Sequence, residues 1–432
     1  MGKKDRVWFE QATGFLNPGL VQKLKNHRVQ HMDETKESLP VIIRFNREVE
    51  EHRHEDALHL CNDGESNFME GKFDFLHGAY GCLSPEKIRS LIDHDGVDKV
   101  YYDHKVHALL DVATKSIGAI EVQAKSDLTG KGVTIAIIDT GIHPHGDLMK
   151  PTSRIKAFVD MVNRRKEPYD DQGHGTHCAG DAAGNGQLSE GLYVGPAPEA
   201  DLIGIKVLDA EGSGQLSTII RGVEWCIKNK KKYGIDVISL SLGGPAFESY
   251  VDDLMCQAVE KAWHHGIVVC AAAGNEGPFP LSINTPGIDP LILTVGSADD
   301  KNTPKLKDDV KASYSSRGPT LDFLVKPDIY APGTNIISLL APGSPLEKQM
   351  PENLVGEHYI SLSGTSMATP LTAGVVALLL EANPHLSPND VKAILMDTAR
   401  LFKGDQAGYI DVVAAVKLAK QYAEFQGSTV DV

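Results

Sequence analysis

The stretch GVTIAIIDTGIHPHGDL, residues 132–148, begins as an unbroken apolar run and closes that run on an acid, Asp139. A short run of this kind, with no polar alternation, predicts a strand buried on both faces, as in a parallel sheet. The pattern returns in ADLIGIKVL (200–208), IDVISLSL (235–242), GIVVCAAAG (266–274) and LILTVGSA (291–298). Between these runs, LSTIIRGVEWCIKNKKK (216–232) and DDLMCQAVEKAWHHG (252–266) carry helical spacing, the second closed by Gly266. Strand and helix therefore alternate from residue 130 onward, and the expected fold is α/β with a doubly wound, mostly parallel sheet. Functional groups in such sheets collect at the carboxyl ends of the strands. Asp139, the SLGG turn (241–244) and Asn275 all fall there.

The chain has 432 residues, enough for one domain of about 300 residues and another of about 100. Its net charge of −15 argues against a nucleic-acid-binding surface. Residues 1–109 carry −4 and the remainder −11, so charge attraction does not hold the two parts together. No apolar run approaches the roughly 20 residues that span a bilayer, and no membrane association is expected. The opening MGKKDRVWFEQATGFLNPGL has basic residues but no apolar core of the secretory type. The expectation is a cytoplasmic protein, with non-classical export as the other route, monomeric once processed. Cys61, Cys82, Cys178, Cys226, Cys256 and Cys270 show neither CxxC nor secreted-scaffold spacing, and reduced thiols are expected.

Residues 1–40 are polar and mixed and read as helical pieces with little core of their own. Beyond them VIIRF, GKFDFLHGAYGCL (71–83) and KVYYDHKVHAL (99–109) read as three strands. Between the last two, Ser84 and Pro85 open a helix whose apolar face is Ile88, Leu91 and Ile92. The pattern predicts a small α+β domain over 1–109, with the larger domain at 110–432.

Three segments carry the chemistry: TIAIIDTGIHPHGDL (134–148) with Asp139, DDQGHGTHCAG (170–180) with His174, and SLSGTSMATP (361–370) with Ser366. A serine hydroxyl becomes a nucleophile when a base takes its proton and a third group orients that base. The chain order Asp, His, Ser is the one for which subtilisin is the type case. A zinc cluster at His174, His177 and Cys178 would need a fourth ligand, and none is near in sequence. An esterase of the α/β-hydrolase kind would flank its serine as GxSxG and place the histidine after it. The other alternative is a catalytically idle protein of the same fold that binds peptides.

These segments resemble the subtilisin-like serine protease (subtilase) family. The resemblance implies a serine endopeptidase of broad specificity that forms an acyl-enzyme on Ser366 and uses Asn275 of AAAGNEGP as an oxyanion donor. It implies that Gly212, Ser213 and Gly214, with Ser241, Leu242 and Gly243, sandwich an extended polypeptide substrate. Leu216 and Ile219 would line the pocket for the fourth residue before the scissile bond. Ala272, Ala273 and Gly274 would wall the primary pocket, with Glu276 at its rim and Asn284 at its base. It further implies that 1–109 is an inhibitory, ferredoxin-like propeptide, removed by self-cleavage between Leu109 and Leu110. A structural calcium ion is implied at Asp147, with Asn185 as second ligand on the rearranged loop 183–196. The polar insertion 340–360 is a departure from the family pattern, and it falls just before the serine segment.

Overall fold

A computed structural model describes residues 8–12, 14–30, 38–62, 67–73, 76–103, 105–108, 116–301, 309–402 and 406–428. The chain divides into two compact units, 1–105 with 215–217, and 106–214 with 218–432.

In the smaller unit the strands Leu39–Phe45, Phe68–Phe73, Gly78–Leu83 and Val97–Tyr102 form a four-stranded sheet. The first strand lies between the third and the fourth, antiparallel to both. Helices Glu51–Cys61 and Pro85–Ser90 lie in the two crossovers, so the chain path is β-α-β-β-α-β. Ser84 caps the second helix by accepting the Lys87 N–H, as its position before Pro85 predicts. Two expectations are corrected. The single strand over 71–83 is two, because Phe68–Phe73 pairs antiparallel with Gly78–Leu83 and His77, with a left-handed backbone (φ 50°), precedes the second; no Asn-Gly or Pro signal marks the reversal. The N-terminal pieces are not peripheral: Phe9, Leu16, Leu20 and Leu24 are buried in this unit's apolar core.

The larger unit is built on a ten-stranded sheet. Its central strands, from Ile155–Asp160 through Asp201–Lys206, Thr134–Asp139, Ile235–Leu240, Val268–Ala272 and Leu293–Asp299 to Ile329–Pro332, are parallel neighbours. All five apolar runs read from the sequence are among them. Thr134–Asp139 is flanked by Asp201–Lys206 on one side and Ile235–Leu240 on the other, so the strand order reverses at its carboxyl end. Asp139 stands at that switch point.

Helix Thr365–Ala382 is long and apolar enough to cross a membrane by composition, the only such helix among the described residues. Its window is 83% buried, so the apolarity serves the core. It packs against helix His174–Ala183 and against strands of the main sheet, which brings the histidine and serine segments together. Helix Leu254–His264 ends as predicted, with His265 as its last cap residue and Gly266 at φ 75°. The 340–360 insertion holds helix Pro345–Gln349 and strand Leu354–Val355, which pairs with Tyr359–Leu362, itself paired with Ile336–Leu339. The Leu346 N–H donates to the Gln172 carbonyl at 3.3 Å, so the insertion rests on the turn before His174.

Candidate active site

Asp139 is the last residue of its strand and is fully buried. Its Oδ1 accepts the Thr140 N–H at 2.7 Å and faces His174 Nδ1 at 2.8 Å. His174 opens its helix directly after Gly173, whose left-handed backbone (φ 110°) turns the chain into it. Gly175 is required for a different reason: a Cβ there would lie 2.2 Å from the Gly141 carbonyl oxygen.

Ser366 is the second residue of its helix and is buried. Its hydroxyl donates to the Ser241 carbonyl at 3.2 Å, and the Ser241 hydroxyl donates to the Ser366 carbonyl at 2.8 Å. Cys178 sits one turn along the helix from His174. Its sulfur is 3.9 Å from each ring nitrogen of His174, 4.0 Å from Asp139 Oδ2 and 3.6 Å from the Ser366 carbonyl oxygen. One buried sulfur therefore touches all three residues singled out from the sequence. Burial opposes charge on His174, but the Asp139 carboxylate beside it outweighs this and raises its pKa well above 6.5. Burial pushes the Cys178 thiol up to about 12, so it stays protonated.

The turn before His174 is organised by Asp170, which the sequence reading passed over although it opens the DDQGHG segment. Asp170 Oδ1 accepts the Thr140 hydroxyl (2.9 Å) and the N–H groups of Gln172 (3.1 Å) and Gly173 (2.8 Å). Its Oδ2 accepts the Thr176 N–H (2.8 Å) and hydroxyl (2.6 Å). Thr140 Oγ1 in turn accepts the Gly175 N–H at 2.9 Å. The Asp139 strand end and the His174 turn are thereby fastened through one carboxylate.

Asn275 Oδ1 accepts both the N–H (3.0 Å) and the hydroxyl (3.2 Å) of Thr365. These two donors engage the amide oxygen at the first residue of the Ser366 helix and leave the NH2 as the group's donor face. Such an NH2 and free helix-terminal N–H groups can stabilise a developing oxyanion. Ala272 and Ala273 are buried, and Gly274 follows at φ 110°. A Cβ on Gly274 would meet Glu276 Oε2 at 2.6 Å, Ser316 Oγ at 2.7 Å and Asn284 Nδ2 at 2.9 Å. Glu276 and Asn284 therefore converge on Gly274; Ser316, whose hydroxyl donates to Glu276 at 3.1 Å, had no signal in the sequence.

Residues 107–108 run antiparallel to 242–243, with Leu242 opposite Ala108 and Gly243 opposite His107. Strand Ser213–Gln215, preceded by Gly212 at φ 74°, lies on the other side of this segment in the same three-stranded sheet. Leu216 and Ile219 are buried on the helix that follows. Leu109 and Leu110 lie outside the described residues.

Asp147 and Asn185 are adjacent, but their oxygens are engaged. Asp147 Oδ1 accepts the Leu188 N–H and Oδ2 the Tyr359 hydroxyl, each at 2.8 Å. Asn185 Oδ1 accepts the Gln187 N–H at 3.1 Å, and its Nδ2 donates to the Lys150 carbonyl at 2.7 Å. Calcium takes 6–8 oxygen ligands, and this donor set does not fit that demand.

The fold and the buried Asp, His and Ser cluster at the switch point define a serine protease of subtilisin-like architecture. The chain belongs to the Subtilase family (Peptidase_S8), which residues 130–424 match. It is 46% identical over 404 residues to serine protease AprX of Bacillus subtilis (strain 168), covering 92% of this chain and 89% of that protein. It is 34% identical over 337 residues to subtilisin E of the same strain, covering 77% of each. The crystal structure of fervidolysin from Fervidobacterium pennivorans, a keratinolytic enzyme related to subtilisin, superposes with a TM-score of 0.68. That match has 21% identity and covers 89% of this chain and 62% of that one, and it speaks to the fold alone.

Proposed function

We propose that this subtilase is an endopeptidase of broad specificity, made as a self-processing zymogen, in which Asp139, His174 and Ser366 act as a triad. His174 takes the Ser366 proton as the hydroxyl attacks the scissile carbonyl, then delivers it to the leaving amine. Asp139 holds the imidazole by the 2.8 Å contact to Nδ1 and stabilises the imidazolium. The Asn275 amide and the N–H groups opening the Ser366 helix receive the oxyanion. Water then releases the acyl group by the same proton path in reverse.

The observation that carries this reading is the strand pairing of residues 107–108 with 242–243, with Ser213–Gln215 on the other flank. Main-chain pairing of this kind takes extended peptide with little regard to side chains, which suits broad specificity and an open-ended cleft. The occupant is the chain's own segment, arriving at its C-terminal end toward Leu109, as the product of self-cleavage between Leu109 and Leu110 would. The β-α-β-β-α-β path of the smaller unit fits a ferredoxin-like propeptide. Residues 1–109 are then an inhibitor in cis and, after scission, in trans.

The test pairs N-terminal sequencing with a fluorophosphonate label. Wild type is expected to show a mature N-terminus within a residue or two of Leu110 and to take up the label. Ser366→Ala, purified away from other proteases, is expected to remain intact and unlabelled. Cleavage of Ser366→Ala at the same bond, or equal labelling, would overturn the reading.

A further inference from the structure

A calcium ion at Asp147 would serve to tie chain segments together, and the structure shows another way in which that tie is made. Asp147 is fully buried, and each of its polar main-chain and side-chain atoms has a partner within the protein. Its carboxylate takes the Leu188 N–H and the Tyr359 hydroxyl. Its own N–H donates to His145 Nδ1 at 3.2 Å, which leaves His145 neutral, with Nε2–H donating to the His358 carbonyl at 3.1 Å. Its carbonyl accepts from Arg154 Nη2, while Nη1 of the same guanidinium reaches the Ala200 carbonyl at 3.1 Å. Arg154 is buried too; burial lowers its pKa to about 10, so it remains a cation at neutral pH. The side chain of Leu188 packs where a Cβ on Gly146 would stand, filling the loop with hydrocarbon in place of further oxygen ligands.

These partners come from separate places in the chain. Asp147 follows the Asp139 strand, Leu188 lies on the loop after the His174 helix, and Tyr359 opens the strand that leads to Ser366. One carboxylate thus joins the flanks of all three segments bearing the Asp, His and Ser. A buried carboxylate is tolerable only when its oxygens are satisfied and a compensating charge is near. Here hydrogen bonds supply the first and Arg154 the second, and both are covalently part of the protein.

We propose that Asp147 is the centre of a metal-independent joint: Leu188, Tyr359 and Arg154 supply the cross-linking that the family resemblance assigns to calcium. Because its parts cannot dissociate, the joint survives chelation. A calcium ion elsewhere in the chain would not bear on this, so the test must be specific to Asp147.

Thermal unfolding of the full-length Ser366→Ala chain, which avoids autolysis, is compared in calcium and in EGTA. The difference in Tm between the two solutions is expected to be the same with and without Asp147→Asn. Tyr359→Phe removes one buried hydrogen bond and is expected to lower Tm by about 2 °C or more in both solutions alike. Arg154→Lys keeps the charge but loses the two-pronged contact, and gives the same signature if Tyr359→Phe fails to fold. A calcium-dependent rise in Tm, or a heat of calcium binding, that disappears with Asp147→Asn would overturn the proposal. So would an unchanged Tm in Tyr359→Phe.

Discussion

Replacing Asp170 with asparagine probes how far the fastening behind the triad controls turnover. Asp170 receives five donors, three on Oδ1 and two on Oδ2. Asparagine offers one oxygen. If it replaces Oδ1 the amide nitrogen faces Thr176, whose hydroxyl can rotate to accept but whose N–H cannot. Leaving that buried N–H without an acceptor costs about 1–3 kcal/mol. The three donors that remain lose a charged acceptor, which removes roughly another 1 kcal/mol apiece at most. The total is on the order of 1–6 kcal/mol, or a fall in Tm of about 2–24 °C. The strain falls on residues 172–176, which orient His174, and a misplacement of about 1 Å at a catalytic group can cost about 10²-fold. We therefore expect kcat to fall about 10- to 100-fold while KM holds, because segments 213–215 and 242–243, proposed above to pair with substrate, take no part in this network. The assay is steady-state kinetics of the processed enzyme on a short peptide, beside calorimetry. A kcat within about threefold of wild type would refute a positioning role, and a loss confined to KM would do so equally.

Two further outcomes follow from the same geometry. A mercurial on Cys178, whose sulfur is 3.9 Å from both ring nitrogens of His174, should abolish most activity by crowding the base, and Cys178→Ala should be active and insensitive; full activity after confirmed mercuration would refute this. His174 must be neutral to act as a base, and its pKa is raised in the folded state, with burial opposed and outweighed by Asp139. Activity should therefore rise with pH through an ionisation above the ordinary histidine value of about 6.5. The stability that this ion pair contributes has the opposite course: it is fully present below about 6.5 and fades as pH rises through the folded pKa. A kcat/KM profile governed by an ionisation at or below about 6.5 would contradict the raised value.

The residues of the site were legible because each lies in a local pattern that chemistry constrains. Asn275 could be picked out from AAAGNEGP, yet its orientation comes from Thr365, ninety residues away. Glu276 and Asn284 could be picked out from the residues around Gly274, but Ser316, which binds Glu276, lies in a loop with no distinctive spacing. The apolar runs announced their strands, since a strand covered on both faces must be apolar throughout. The 68–83 hairpin carries no Asn-Gly or Pro signal in its sequence, and His77, just before the second strand, takes a left-handed backbone uncommon outside glycine.

By itself, the sequence determined the α/β class and the strands of the main sheet, and it singled out Asp139, His174, Ser366 and Asn275 as the candidates for the chemistry. Those are local properties: apolar runs, capping residues and motifs of a few residues. The tertiary structure decided what each polar group does once buried. Asp170 binds the histidine turn, and Asp147 is held by Leu188, Tyr359 and Arg154 in contacts spanning up to 212 residues of chain. Whether a buried carboxylate serves a metal or the protein depends on which donors reach its oxygens, and long-range packing sets that.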